Sequence, residues 1–176
     1  MTVAVETGQW QLDADASTVA LKHRTMWGLV TVKGAFGVVG GGGEVRPDGT
    51  VTGAVTLDAA SLDTKNAKRD THLRSADFFD VEKHPEITFE VRGVETGADA
   101  AAQVDGQLTV RGVSRPVSVP VRLTREGTDA VTLAAEFTVD RAEFDMGWNQ
   151  LGMLRGLTAV AGSLRFTRVP GGVQES

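Results

Sequence analysis

The segment Val117-Ser-Val-Pro-Val-Arg-Leu-Thr124 decides the fold. Val117, Val119, Val121 and Leu123 share one parity, and Ser118, Arg122 and Thr124 take the other. Successive side chains of a strand point to opposite faces, so a period of two marks a strand with one apolar face. The pattern recurs toward the C-terminus in Val131, Leu133, Phe137 and Val139, and again in Val160, Leu164 and Phe166. Toward the N-terminus it recurs in Val104, Leu108 and Val110, in Ile87, Phe89 and Val91, and in Val51, Val55 and Leu57. Val30, Val32 and Phe36 follow, then Val19 and Leu21. The count comes to about eight strands, each with one apolar face.

Turn chemistry separates them. Arg46-Pro47-Asp48-Gly49-Thr50 presets φ at proline and supplies a glycine for positive φ. Glu126-Gly127-Thr128-Asp129 and Glu95-Thr96-Gly97-Ala98-Asp99 read as further loops. Gaps this short select antiparallel neighbours, because parallel crossovers need a dozen or more residues. Many antiparallel strands in one chain close into a barrel or stack as a sandwich.

Three segments break the alternation. Asn66–Ser75 holds helix formers and predicts a short helix, with Asp63 or Thr64 as its cap and Ser75 at its end. Asp145–Gly156 is apolar, irregular and glycine-rich, and reads as a loop or a short turn of helix across a barrel end. Gly40–Gly43 lacks the Lys-Ser/Thr of a phosphate loop and reads as a flexible loop or strand bend.

The 176 residues suit one domain, taken as 1–169 with a tail at 170–176. A net charge of -5 argues against nucleic acid and gives no attraction to an anionic membrane surface. No apolar run approaches a transmembrane helix. The absence of cysteine removes disulfides and thiolate metal sites. Met1–Ala20 carries no basic and apolar leader pattern, so a cytoplasmic location is expected.

Catalytic and metal signals are weak. His23, His72 and His84 lie at no ligand spacing from one another, so no metal and no cofactor is expected. Ser75, His72 and Asp77 lack a nucleophile elbow. Arg69, Asp70, Arg74 and Asp77 read either as an ion-pair cluster pinning the helix to the barrel rim or as a solvated face. The stronger signal is aromatic and apolar. Strand residues Phe36, Phe89, Val91 and Phe137 are expected to line a tube, together with Trp27. Phe78, Phe79, Trp148, Leu151, Met153 and Leu154 are expected to close or gate it. Gly34, Gly53, Gly93, Gly106, Ala135 and Gly162 are small at interior positions and leave room. An eight-stranded barrel is just wide enough to be filled by side chains or to hold one small ligand, and the composition fits both.

The run Ser61-Leu-Asp-Thr64, Arg69-Asp70-x-His72-Leu73-x-Ser75-x-Asp77-Phe78-Phe79-Asp80-Val81 and His84-Pro85-x-Ile87-Thr88-Phe89 resembles the YceI-like family of lipid-binding proteins. Trp10-x-Leu12-Asp13, Gly106-x-Leu108-Thr109-Val110-x-Gly112-Val113 and Arg141-x-x-Phe144 support the resemblance, which covers Trp10 to about Val169. It implies a single eight-stranded antiparallel lipocalin-like barrel with one or two short helices capping its ends. It implies a central apolar pore for a long-chain isoprenoid or other amphiphilic lipid, without catalysis, and it is compatible with a homodimer. Family members are often exported to the periplasm, and Met1–Ala20 departs from that pattern. Leu21–Gly28 is bulkier than the family pattern. Two rivals stand beside a lipid carrier: a filled barrel serving as a structural or protein-interaction module, and an enzyme on a fatty substrate using Asp70 and His72.

Overall fold

A computed structural model gives the fold and describes residues 6–25, 30–37, 39–97, 100–144 and 157–169. The strands are β1 (Gly8–Leu12), β2 (Thr18–Thr25), β3 (Val30–Phe36), β4 (Val39–Val45), β5 (Val51–Asp58) and β6 (Leu62–Asp63). After helix α1 (Ala67–Arg74) come β7 (Glu86–Thr96), β8 (Ala101–Val110), β9 (Val113–Glu126), β10 (Ala130–Val139) and β11 (Thr158–Arg168). All the strand pairs are antiparallel.

β1 pairs with β4 on one side and with β11 on the other, which closes the ring β1–β4–β5–β7–β8–β9–β10–β11. Where β1 stops, β2 continues along β11 and β3 along β2. β1–β2 and β3–β4 are therefore two long broken strands, and the barrel has eight. The sequence reading of eight antiparallel strands is the observed architecture, and closure of the ring decides for barrel over sandwich.

The first break is tied to its neighbour by side chains. The Ser17 hydroxyl donates to the Asp13 carbonyl at 2.7 Å and accepts from the Arg165 backbone N–H at 2.9 Å. The Arg165 guanidinium reaches Asp13 at 2.9 Å and Glu126 at 3.4 Å. The hydrogen bond to Glu126 raises the Arg165 pKa, and the same bond holds the Glu126 carboxyl below the usual carboxylate range. Both groups meet solvent, so the pairing orients the seam more than it stabilises it.

Gly40–Gly43 is not a loop. It lies within β4, with Gly42 and Gly43 paired to β1 and the whole run paired to β5. Gly43 faces Gly53, and a Cβ on Gly43 would stand 2.5 Å from the Thr52 carbonyl oxygen. The glycines let β4 and β5 approach closely.

The two ends of the barrel differ. The buried cluster of Phe36, Leu57, Ala59, Leu62, Phe78, Ile87, Val110 and Phe144 is gathered at the end where α1 sits. Trp10, Ala102, Ala130 and Val131 are buried toward the opposite rim. α1 is short and polar, and a helix of this length does not persist alone in water. Its cap is Asn66, whose side chain accepts from the Arg69 N–H at 3.0 Å, rather than Asp63 or Thr64. Asp63 instead accepts from the Lys65 N–H at 2.8 Å, and this bond lowers its pKa.

Candidate functional site

The interior of the ring is a cavity of about 870 Å³. Val19, Leu21, Val55, Phe89, Val104, Val119, Leu133, Phe137, Val160 and Leu164 border it. These are the inward parity of seven successive β-segments, so the period of two in the sequence becomes one continuous apolar wall. Many of these side chains, Val55, Phe89, Leu133, Phe137 and Leu164 among them, are only partly buried, because their inner surfaces face open space rather than one another. Ten-residue strands such as β8 and β10 tilted as in a barrel give a tube on the order of 25 Å long.

Phe36, Phe78, Phe79, Phe89, Val91 and Phe137 all border this cavity. Trp27, Trp148, Leu151, Met153 and Leu154, and the segment Asp145–Gly156, lie outside the described residues. Of the small residues expected inside, Gly34, Gly53, Ala135 and Gly162 border the cavity, whereas Gly93 and Gly106 do not. Gly93 follows a register shift in β7, with Val91 opposite Gly106 and Gly93 opposite Asp105. The bulge turns Val94 and Thr96 inward, onto the parity that was outward before it. Gly106 is covered by the Phe89 ring, since a Cβ there would lie 2.4 Å from Phe89 Cζ. Diagonal neighbours across a strand pair are within aromatic reach, and here the ring fills the missing side chain. Phe89→Ala therefore exposes the Gly106 backbone and widens the tube at that level. The expected result is a shift of preferred chain length or branching, read by competition among isoprenoid and straight-chain amphiphiles. Unchanged preference would remove Phe89 from the tube wall.

The helix end is closed by a polar lock beneath an aromatic plug. Asp70 is 6% exposed and accepts from Thr64 three times, from its N–H at 3.0 and 3.2 Å and from its hydroxyl at 2.5 Å. Arg69 donates to Thr64 Oγ1 at 2.8 Å and to the Thr64 carbonyl at 2.7 Å. Arg74 donates to the carbonyls of Ala60 at 3.1 Å and Leu62 at 3.3 Å. The mutual ion-pair cluster considered for Arg69, Asp70, Arg74 and Asp77 is not formed. Thr64 and main-chain carbonyls are the partners, because β6 ends with its polar backbone facing the helix. Asp77 pairs with His72 at 2.9 Å. Ser75 ends the helix as expected, its hydroxyl donating to the His72 carbonyl at 2.5 Å.

Above this lock, the His72 ring meets Phe78 edge-on at 5.1 Å, and Phe79 meets Phe36 edge-on at 6.3 Å. Arg111 and Gly112 form the two-residue turn between β8 and β9, both at positive φ. From that turn the Arg111 guanidinium donates to the Phe78 carbonyl at 2.8 Å and ties the plug to β8 and β9. Among the described residues no cluster of metal-ligating side chains exists.

The residues expected to line or gate the tube did not include Trp10, His23, Phe144 or Thr158, and all four border the cavity. For His23 the signal was the parity of Val19 and Leu21 carried one step further. For Thr158 it was that of Val160 carried one step back.

A closed eight-strand antiparallel ring around an apolar tube, capped at one end by a short helix, defines a lipocalin-like barrel. Its sequence matches the YceI-like domain over residues 10–166. The chain belongs to the YceI-like family. A UPF0312 protein of Ectopseudomonas mendocina is 45% identical over 76 residues, 43% of this chain and 40% of that protein. Protein YceI of Escherichia coli O157:H7 is 41% identical over 75 residues, 43% of this chain and 39% of that protein. The matched stretch thus spans about two fifths of those relatives. Among solved structures, Burkholderia cenocepacia BcnA superimposes with a TM-score of 0.79 at 22% identity, covering 88% of this chain and 98% of that one. A polyisoprenoid binding domain from Saccharophagus degradans gives 0.76 at 16% identity, covering 93% and 100%. At these identities the two structures speak to the fold.

Proposed function

We propose that this protein binds and shields one long-chain apolar lipid, a polyisoprenoid or a fatty amphiphile, inside the barrel, without catalysing a reaction on it. The observation that carries the reading is the apolar cavity of about 870 Å³, within the range of small-molecule sites. Each buried methylene contributes roughly 0.8 kcal/mol, so about ten supply roughly 8 kcal/mol gross before the chain's lost freedom is subtracted. The Saccharophagus degradans neighbour, described as a polyisoprenoid binding domain, supports the same class of ligand. Asp70, half of the candidate acid–base pair, is buried and bonded to Thr64, which supports a non-catalytic role. Phe36, Phe89, Val91 and Phe137 are taken as tube contacts and Phe78 and Phe79 as the plug. Trp27, Trp148, Leu151, Met153 and Leu154 keep the wall and gate roles read from the sequence. The binding unit is 1–169, with 170–176 as a tail. The role is carriage or sequestration in the cytoplasm, of use under stress.

Native mass spectrometry of the freshly purified protein, followed by solvent extraction, tests this. The expected spectrum shows a stoichiometric adduct whose extract is a long-chain species, and it reads monomer or homodimer at once. An apo mass that does not change on incubation with isoprenoids and fatty amphiphiles would transfer the reading to a protein-interaction module.

A further inference from the structure

Hydrocarbon side chains make up most of the tube wall, and among the polar ones that border it are two hydrogen-bonded pairs, Thr64–Arg69 in the lock already described and His23–Thr158. His23 on β2 and Thr158 on β11 both border the cavity, and His23 Nδ1 lies 2.8 Å from Thr158 Oγ1. The two strands are neighbours, with Lys22 opposite Ala159, so the pair bridges the β2–β11 seam from the inside. His23 also pairs in register with Val32, one inward step beyond Leu21 and Gly34. A Cβ on Gly34 would meet Thr64 at 2.8 Å, which places the pair at the helix end of the tube. Polar groups in an apolar wall cost free energy unless they are hydrogen-bonded, and aliphatic residues would line it without that demand.

The Thr158 hydroxyl has one donor and two acceptor lone pairs, and the contact with His23 uses one of these. If His23 Nδ1 accepts, the threonine oxygen is left to accept from a ligand hydroxyl. If Nδ1 donates, the threonine O–H is left to donate to a ligand carbonyl. The two tautomers therefore let one site serve either oxygen.

We propose that the His23–Thr158 pair is the head-group site of the tube, that it takes a neutral oxygen-bearing head, and that the chain runs from there toward Trp10. The assignment rests on the lipid-container reading. Neutrality follows from the pair itself, a hydroxyl and an imidazole that bring a ligand hydrogen bonds and no fixed countercharge. A buried phosphate needs donors and countercharge that hold it in place of water. Arg69, which also borders the cavity, directs Nε and Nη2 at Thr64, and His72 faces the Asp77 carboxylate.

The test uses four C20 isoprenoids, the hydrocarbon, the alcohol, the aldehyde and the monophosphate, each displacing a fluorescent fatty probe from the intact protein. The wild type is expected to bind the alcohol or the aldehyde roughly three- to tenfold more tightly than the hydrocarbon, as one neutral hydrogen bond allows. Preference for the alcohol assigns the threonine oxygen as acceptor, and preference for the aldehyde assigns it as donor. Thr158→Val should bring the ratio to the hydrocarbon close to one, and Thr158→Ser, which keeps the hydroxyl, should retain it. A ratio that survives Thr158→Val, a ratio of one in the wild type, or tightest binding of the monophosphate would overturn the assignment while the container reading stands. Failure of all four to bind the wild type would remove both.

Discussion

Gly162→Phe should empty the barrel of lipid while leaving it folded. Gly162 lies on β11 opposite Ala135 of β10 and Val19 of β2, and all three border the cavity. A Cβ at Gly162 would have no neighbour nearer than the Thr18 carbonyl oxygen at 3.8 Å, so the added ring meets open tube rather than backbone. Glycine inside a strand costs stability and phenylalanine favours strands, so the folded state is expected to hold or gain by a few tenths of a kcal/mol. The ring occupies the bay that Gly162 and Ala135 leave in the wall. Affinity for a long chain should fall by at least roughly tenfold, since two lost methylene contacts already cost about 1.6 kcal/mol. Probe displacement and the extracted-lipid stoichiometry read this directly. A folded Gly162→Phe protein with wild-type lipid content would show that the ligand lies elsewhere.

Asp70→Ala should cause the largest loss of stability. The carboxylate is buried and carries the hydrogen bonds of both the Thr64 N–H and the Thr64 hydroxyl. Alanine leaves those donors buried and unpaired, at a cost of about 2–4 kcal/mol. It also removes a negative charge from the first turns of α1, where the helix dipole favours one. In a chain of this size the melting temperature should drop on the order of 10 °C. Asp70→Asn, which keeps one acceptor oxygen, should lose less. Because Thr64 also receives Arg69, the damage should spread to the helix and the Phe78–Phe79 plug, visible as faster amide exchange over residues 64–81. A melting temperature within a degree or two of the wild type would mean that Thr64 finds another partner and that the lock is dispensable.

Most of the wall was legible in the sequence, because a strand's period of two survives folding unchanged. Val119, Leu133 and Val160 could be placed on one face from their spacing alone. The reading failed where the period was interrupted. Arg92 and Gly93 form a bulge, and the inward parity of β7 passes to Val94 and Thr96 after it. Gly106 lies on the parity of Val104 and Leu108 and looked like open room, yet a ring from the neighbouring strand covers it. Gly40–Gly43 read as a flexible loop or a strand bend because glycine has no strand propensity, and the approach of β1 and β5 decides for the strand. Asn66–Ser75 gave the helix, while the two readings of Arg69, Asp70, Arg74 and Asp77, an ion-pair cluster or a solvated face, both left out Thr64 and the main-chain carbonyls, since carbonyls carry no sequence signature.

The strand periodicity, the turns, the helix and its end at Ser75, and an apolar face long enough to wall a tube are all readable in the order of residues. These follow from local rules of side-chain direction and turn chemistry, which act within a few residues. Closure of the ring around a cavity, Thr64 as the centre of the lock, and the meeting of His23 and Thr158 across the β2–β11 seam come from the folded arrangement. Ring closure and the His23–Thr158 contact depend on register and barrel radius, which arise from pairing residues more than a hundred positions apart, whereas the Thr64 lock joins residues five and six positions apart through the turn between β6 and α1.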